Sequence, residues 1–281
     1  MQVKTRKGKI DGNHIIYHYI QKNLVPRNDS FSKELIERLI VDLSIWLPVE
    51  YYREMPLLFP YALRDQECRK NRSRSGLEEW GSANEMGFFR DDNTLIKGVV
   101  KPLSIKSRIV KEYDGSKPGD GFTACHIWRT VVAEGQRIPS CCSFMTYSFI
   151  PNLVWLPKQV AKFTDRDGSY AQLVLEKISC MLYTGIRTDD IIRKLWSMLP
   201  EPDVKINVDV DSLNFFEINR DLLQDRRERL KKEIENIIEL AGSRKESKVH
   251  IKCSRYVPSL ITVEQPSHIK NWLNQIRNLV I

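Results

Sequence analysis

The stretch from Phe122 to Asp165 constrains the fold more than any other part of this sequence. Phe122-Thr123-Ala124-Cys125-His126 reads as a largely apolar strand ending on a histidine, with Ile127-Trp128 behind it. The turn cluster Asp114-Gly115-Ser116-Lys117-Pro118-Gly119-Asp120-Gly121 precedes it and separates it from the front of the chain. After a loop, Pro151-Asn152 marks a second turn ahead of Leu153-Val154-Trp155-Leu156-Pro157. Lys158 to Asp165 then predicts a short helical segment that closes on an acid.

His126 at a strand end, Asn152 followed by Leu-Val, and a short helix together resemble the HNH nuclease superfamily. The resemblance spans Phe122 to Asp165 of 281 residues. It implies a ββα fold around one metal ion, with His126 as the base that deprotonates the attacking water. It also implies that Asn152 orients the histidine loop or binds the metal. The third family position falls near Ala161 or Asp165, and of these Asp165 has ligand chemistry. The sequence departs from the family in two places. Cys125 stands where the family commonly has an acidic or histidine ligand, and the helix lacks the usual histidine, so Asp165 or Asp167 must complete the ligand set.

The chemistry follows independently of the name. Cleaving a phosphodiester requires a deprotonated water in line with phosphorus and positive charge on the leaving oxygen. Imidazole, with an ordinary pKa of roughly 6.5, suits the first need, and a hard cation serves the second. The expected cofactor is Mg²⁺ or another divalent ion, held by Asn152 with Asp165 or Asp167. A Cys125 thiolate would suit a softer metal. Arg129, three positions after the base, is the expected grip on the phosphate, with Arg137 as a second candidate.

Composition supports an anionic partner. The formal net charge is +8 and the isoelectric point about 9.1, which favours nucleic acid. Two basic stretches stand out. Arg69, Lys70, Arg72 and Arg74 lie in a polar loop. Lys97, Lys101, Lys106 and Arg108 alternate with apolar residues over Thr94 to Lys111, where strand-like pieces predict a cationic sheet edge beside the histidine motif. A lysine-protected edge strand is the bland alternative. The six cysteines form no Cys-x-x-Cys pair, which argues against a zinc ribbon and for reduced thiols in the cytoplasm. Neither a secretory signal nor a membrane span is predicted.

The expected class is α+β: a small ββα-metal core embedded in a larger, mixed, helix-rich chain. Residues 1–113 would form a helical and basic β region, 114–185 the ββα core, and 186–281 a mostly helical packing or dimerisation region. Helices are predicted over Ser32–Leu47 (capped by Ser30 or Ser32), Ser169–Leu182, Asp189–Leu199, Asn219–Leu240 and Ser267–Val280. Tyr51 to Pro60 reads as an irregular connector, and Val204–Val210 and Val249–Cys253 as strands.

The leading expectation is a metal-dependent endonuclease for double-stranded DNA, sequence-specific in the manner of a type II restriction enzyme and homodimeric on a palindrome. Homing and phage nucleases are sister possibilities. The alternative is a non-catalytic nucleic-acid-binding protein. A Cys/His enzyme using Cys125 or Cys142 is disfavoured, because Cys125 and His126 point to opposite faces of a strand. A core of two carboxylates and a lysine finds no convincing Asp-x-Lys or Glu-x-Lys partner near Asp203 or Asp209.

Overall fold

The structure is a computed structural model. It describes residues 9–12, 15, 16, 19, 33–62, 94–133, 135–165, 167–242 and 266–280. The basic loop with Arg69, Lys70, Arg72 and Arg74, the caps Ser30 and Ser32, and the strand expected at Val249–Cys253 lie outside the described residues.

The fold is α+β. The helices are α1 (Lys33–Leu43), α2 (Val49–Glu54), α3 (Thr94–Val100), α4 (Lys158–Ala161), α5 (Tyr170–Tyr183), α6 (Asp190–Ser197), α7 (Arg220–Gly242) and α8 (Pro266–Val280). The strands are β1 (Lys9–Ile10), β2 (Ile45–Trp46), β3 (Ile105–Lys106), β4 (Lys117–Pro118), β5 (Phe122–His126), β6 (Thr130–Ala133), β7 (Gln136–Pro139), β8 (Leu153–Pro157) and β9 (Asn214–Phe216). A five-stranded mixed sheet has the order β3-β9-β2-β8-β5, and β6 and β7 form a separate hairpin. The sheet therefore draws strands from all three stretches into which the sequence divides. Among the described residues no helix is long and apolar enough to cross a membrane.

Four local expectations change. The helix expected over Ser32–Leu47 stops at Leu43, because Ile45 and Trp46 join the centre of the sheet between β8 and β9. Both are fully buried, and tertiary pairing overrides a helical apolar pattern there. Thr94–Val100 is a helix rather than strand-like pieces, and the connector Tyr51–Pro60 begins inside helix α2. Residues 204–210 alternate half-buried and exposed as expected, yet 204–209 form no strand; the strand lies later, at β9, where Asn214 is buried and its carboxamide donates to the carbonyls of Asp42 and Ser44.

An aromatic cluster fixes the helices beneath the histidine motif. Tyr52 meets Tyr183 and Phe149 edge-on at 5.3 and 5.9 Å, and Trp196 meets Phe149 and Trp128 at 5.8 and 6.1 Å. Such pairs add to the stabilisation from burial. The Tyr183 hydroxyl donates to the Leu47 carbonyl and the Trp128 indole N–H to that of Pro200, so their polar ends are satisfied.

Candidate functional site

The two strands of the motif pair directly. β5 runs antiparallel to β8 in a register from Phe122 opposite Pro157 to His126 opposite Leu153. α4 follows β8 at once, and a 3-10 turn at Lys162–Thr164 prolongs it to Asp165. Strand, strand and short helix thus succeed one another in space as in sequence.

Asn152 closes a 3-10 turn at Ile150–Asn152 and is fully buried. Its side-chain oxygen accepts from the Trp128 N–H at 2.8 Å, and its amide donates to the Thr146 carbonyl at 3.0 Å. The carboxamide thereby joins the chain after His126 to the loop before β8. The Ile127 N–H reaches the Asn152 carbonyl at 3.0 Å, and Ser179 of α5 donates to the Pro151 carbonyl at 2.6 Å. Asn152 was expected to orient the histidine loop or bind the metal; its side-chain oxygen is engaged by the Trp128 N–H and has no solvent exposure.

His126 is partly buried, with its ring 5.4 Å from that of Tyr147. Its Nε2 lies 2.8 Å from the Tyr147 carbonyl oxygen. A carbonyl can only accept, so Nε2 carries the hydrogen, and in the neutral ring the lone pair sits on Nδ1.

The acidic residues lie on a turn. Arg129 Nη1 pairs with Asp165 at 3.2 Å and reaches the Thr164 carbonyl at 3.5 Å. The Thr130 hydroxyl donates to Asp167 at 3.1 Å, and Arg137 donates to the Thr130 oxygen at 3.2 Å, 3.9 Å from Asp167. Cys125 lies within electrostatic reach of this group. Burial, then the Asp165 carboxylate, push its thiol up to about 12, against the opposing influence of Arg129 and Lys97. In the absence of a metal it keeps its proton at neutral pH.

The cations divide. Lys97 on α3 is half-buried near β5, and burial followed by crowding from Lys158 and Lys101 lowers its ammonium pKa. Lys106 and Arg108 are exposed at β3 and just beyond it, on the opposite edge of the sheet from His126. The expectation of one cationic edge beside the motif is therefore corrected: only the Lys97 and Lys101 part neighbours it. Lys158, which follows β8 directly, and Thr130 were not expected at the site; a lysine at a strand-to-helix junction and a threonine beside Arg129 give a sequence reader little to act on.

The structure thus joins His126 to Asn152 through a shared loop, Arg129 to Asp165, and Asp167 to Thr130 and Arg137. Among the described residues no group of three His, Cys, Asp or Glu side chains is placed to hold a metal. Asp165 and Asp167 are half-exposed or more and supply the oxygen donors a hard cation takes; Asn152 and Cys125 do not fit it. No protein-family model matches the chain, and no curated protein or solved structure is similar to it.

Proposed function

We propose that this chain is a metal-dependent endonuclease that hydrolyses phosphodiester bonds in double-stranded DNA, with sequence specificity of the restriction type. The observation that carries the reading is the state of His126: a strand-end imidazole whose Nε2–H is fixed on a backbone carbonyl and whose loop is clamped by a buried asparagine. That arrangement supports Nδ1 as the nitrogen that takes a proton from water. Asp165 and Asp167 are the side chains that would hold a Mg²⁺-like ion. When bound, such an ion neutralises charge on the scissile phosphate and the leaving oxygen. Arg129 would exchange its exposed partner Asp165 for a phosphate oxygen, an exchange made easy by the weakness of surface ion pairs. Lys97, Lys101 and Lys158, crowded together, favour a polyanion between them. The rest of the chain would supply base recognition, with a second copy on a palindromic site. The thiols of Cys125 and Cys180, which form no disulfide, fit a cytoplasmic setting.

The test is purified protein with supercoiled plasmid in Mg²⁺ or Mn²⁺, with and without EDTA. Wild type nicks or linearises the plasmid in metal only, and His126→Ala binds the DNA without cutting it. Equal cutting by His126→Ala removes the assignment.

One observation favours a second reading, a nucleic-acid-binding protein that does not cleave. Asp165 and Asp167 are already engaged by Arg129, Thr130 and Arg137. Retarded but uncut DNA under every divalent ion would establish that reading instead.

A further inference from the structure

A cavity of about 400 Å³ lies against Trp128, the residue whose backbone N–H is held by Asn152. That volume is in the range of small-molecule sites. Two of its walls are indoles: Trp128, which is 1 % exposed, and the half-buried Trp196 of α6, set at 89° to each other. Both ring N–H groups are engaged inside the protein, that of Trp128 by the Pro200 carbonyl at 2.8 Å and that of Trp196 by the Tyr52 hydroxyl at 3.0 Å. The rings are thus fixed before any ligand arrives and offer it apolar surface. Another wall is one face of α5, with Lys177, Cys180 and Met181 at i, i+3 and i+4 and Thr184 at the C-cap. Met181 is 42 % exposed although it is apolar. Glu201, next to the anchored Pro200, also lines the cavity. Lys177 and Glu201 act in opposite senses on the same Cys180 thiol, so both charges reach one point of the cavity; burial, opposed by Lys177, raises that thiol to about 11, with Glu176 and then Glu201 adding. Among the described residues neither Lys177 nor Glu201 forms an ion pair.

We infer that this cavity takes a nucleobase, its flat ring against Trp196 and Met181 and its polar edge read by Lys177 and Glu201. The inference rests on the nucleic-acid part of the reading above and not on cleavage. An ammonium only donates hydrogen bonds and a carboxylate only accepts them. A wholly apolar ligand would strip water from both charges and return nothing, and a simple ion would be drawn by one and repelled by the other. A nucleobase answers all three features: a π-face for the indole and the thioether, an acceptor for Lys177, and an N–H donor for Glu201. Stacking of a base on an aromatic side chain tolerates any base. The place also suits a strand. Trp128 precedes Arg129, the expected grip on phosphate, so a strand held there brings its bases next to the cavity, where one turned out of the stack finds a seat. A free nucleotide carries the same ring and the same edge.

The experiment alkylates the full chain with N-ethylmaleimide and follows the rate at Cys180 by peptide mapping. The probes are a mixed-sequence single-stranded oligonucleotide, an abasic strand of the same length, nucleoside 5′-monophosphates and ribose 5-phosphate, with binding of the strands measured by fluorescence anisotropy. At roughly tenfold excess over its dissociation constant the base-bearing strand slows Cys180 alkylation ~10-fold, whereas the bound abasic strand slows it less than about twofold. Protection by the strand alone assigns the site to a base turned out of nucleic acid, and protection by the monophosphates to a free nucleotide; ribose 5-phosphate protects in neither case. Trp196→Leu weakens binding of the protecting ligand by ~5-fold or more. Glu201→Ala, a change at an exposed side chain, weakens it as well, although removing a negative charge would by itself tighten the hold on a polyanion. If DNA binds but base-bearing and abasic strands protect Cys180 equally, or no base-bearing probe protects it, or Glu201→Ala binds more tightly, base recognition is overturned and the nucleic-acid reading stands. If neither single- nor double-stranded DNA binds and the monophosphates give no protection, that reading falls and takes this inference with it.

Discussion

His126 and Asn152 are anchored to backbone groups in the interior, whereas Asp165 and Asp167 are anchored to side chains at the surface. The first pair uses the carbonyls of Tyr147 and Thr146 and the N–H of Trp128, groups fixed by the sheet and its loop. The second uses Arg129, Thr130 and Arg137, exposed or part-exposed side chains that can change partners. Under the function proposed above, the contrast would be useful. A base must keep one orientation, so its ring is set by parts that do not move. Groups that receive a cation and a phosphate must release their resting partners, so weak surface pairs serve them better.

The comparison can be broken at several points. The largest expected effect is on chemistry: His126→Ala lowers plasmid cleavage by ~10²–10⁴-fold while unfolding in urea changes by about 1 kcal/mol, the worth of one hydrogen bond. Asn152→Ala should lose roughly 2–4 kcal/mol of unfolding free energy, because it leaves the Trp128 N–H and Thr146 carbonyl unpaired in the interior. A stable Asn152→Ala protein would erase the distinction between the two halves.

Glu176 predicts a smaller, pH-dependent effect at the seam between them. Its folded pKa of about 8 stands above the ordinary carboxyl value, so the folded protein keeps a proton that the unfolded chain has lost in this window. Stability is therefore greatest at acid pH, as far as this group goes, and falls as pH rises toward 8, by at most ~1.4 kcal/mol per pH unit. Urea midpoints of wild type and Glu176→Gln across that range check the sign; the variant should show the flatter profile. The smallest expected effect is the coupling of Arg129 with Asp165. A double-mutant cycle on stability should return no more than ~1 kcal/mol for so exposed a pair, and a larger value would mean that the surface half is as rigid as the interior one.

Much of the secondary structure was legible. The strand ending on His126, the helix after Pro157, and the helices that became α5, α6, α7 and α8 follow from apolar periodicity and turn residues. Ser169 caps α5 and the Asn219 side chain accepts from the Leu222 N–H at the start of α7, both local hydrogen bonds that residue type foretells. Thr94–Val100 was misread because Gly98 and the β-branched residues argue against a helix, while packing against β5 decides for one. Ile45-Trp46 was misread because its apolar pattern continues that of α1, and only pairing with β8 and β9 distinguishes the two.

The sequence by itself determined the local events: where the chain turns, where an apolar run must be buried, and which positions carry imidazole, carboxylate and guanidinium groups. The tertiary structure alone decided which of those residues meet. It set Asn152 against Trp128 and Thr146, put Lys106 and Arg108 on the edge away from His126, and seated Gln172 and Glu176 behind Asp167. The physical reason is that hydrogen bonds and ion pairs act over a few ångströms of space between groups far apart in the chain, and such distances are fixed only when the sheet and helices have packed.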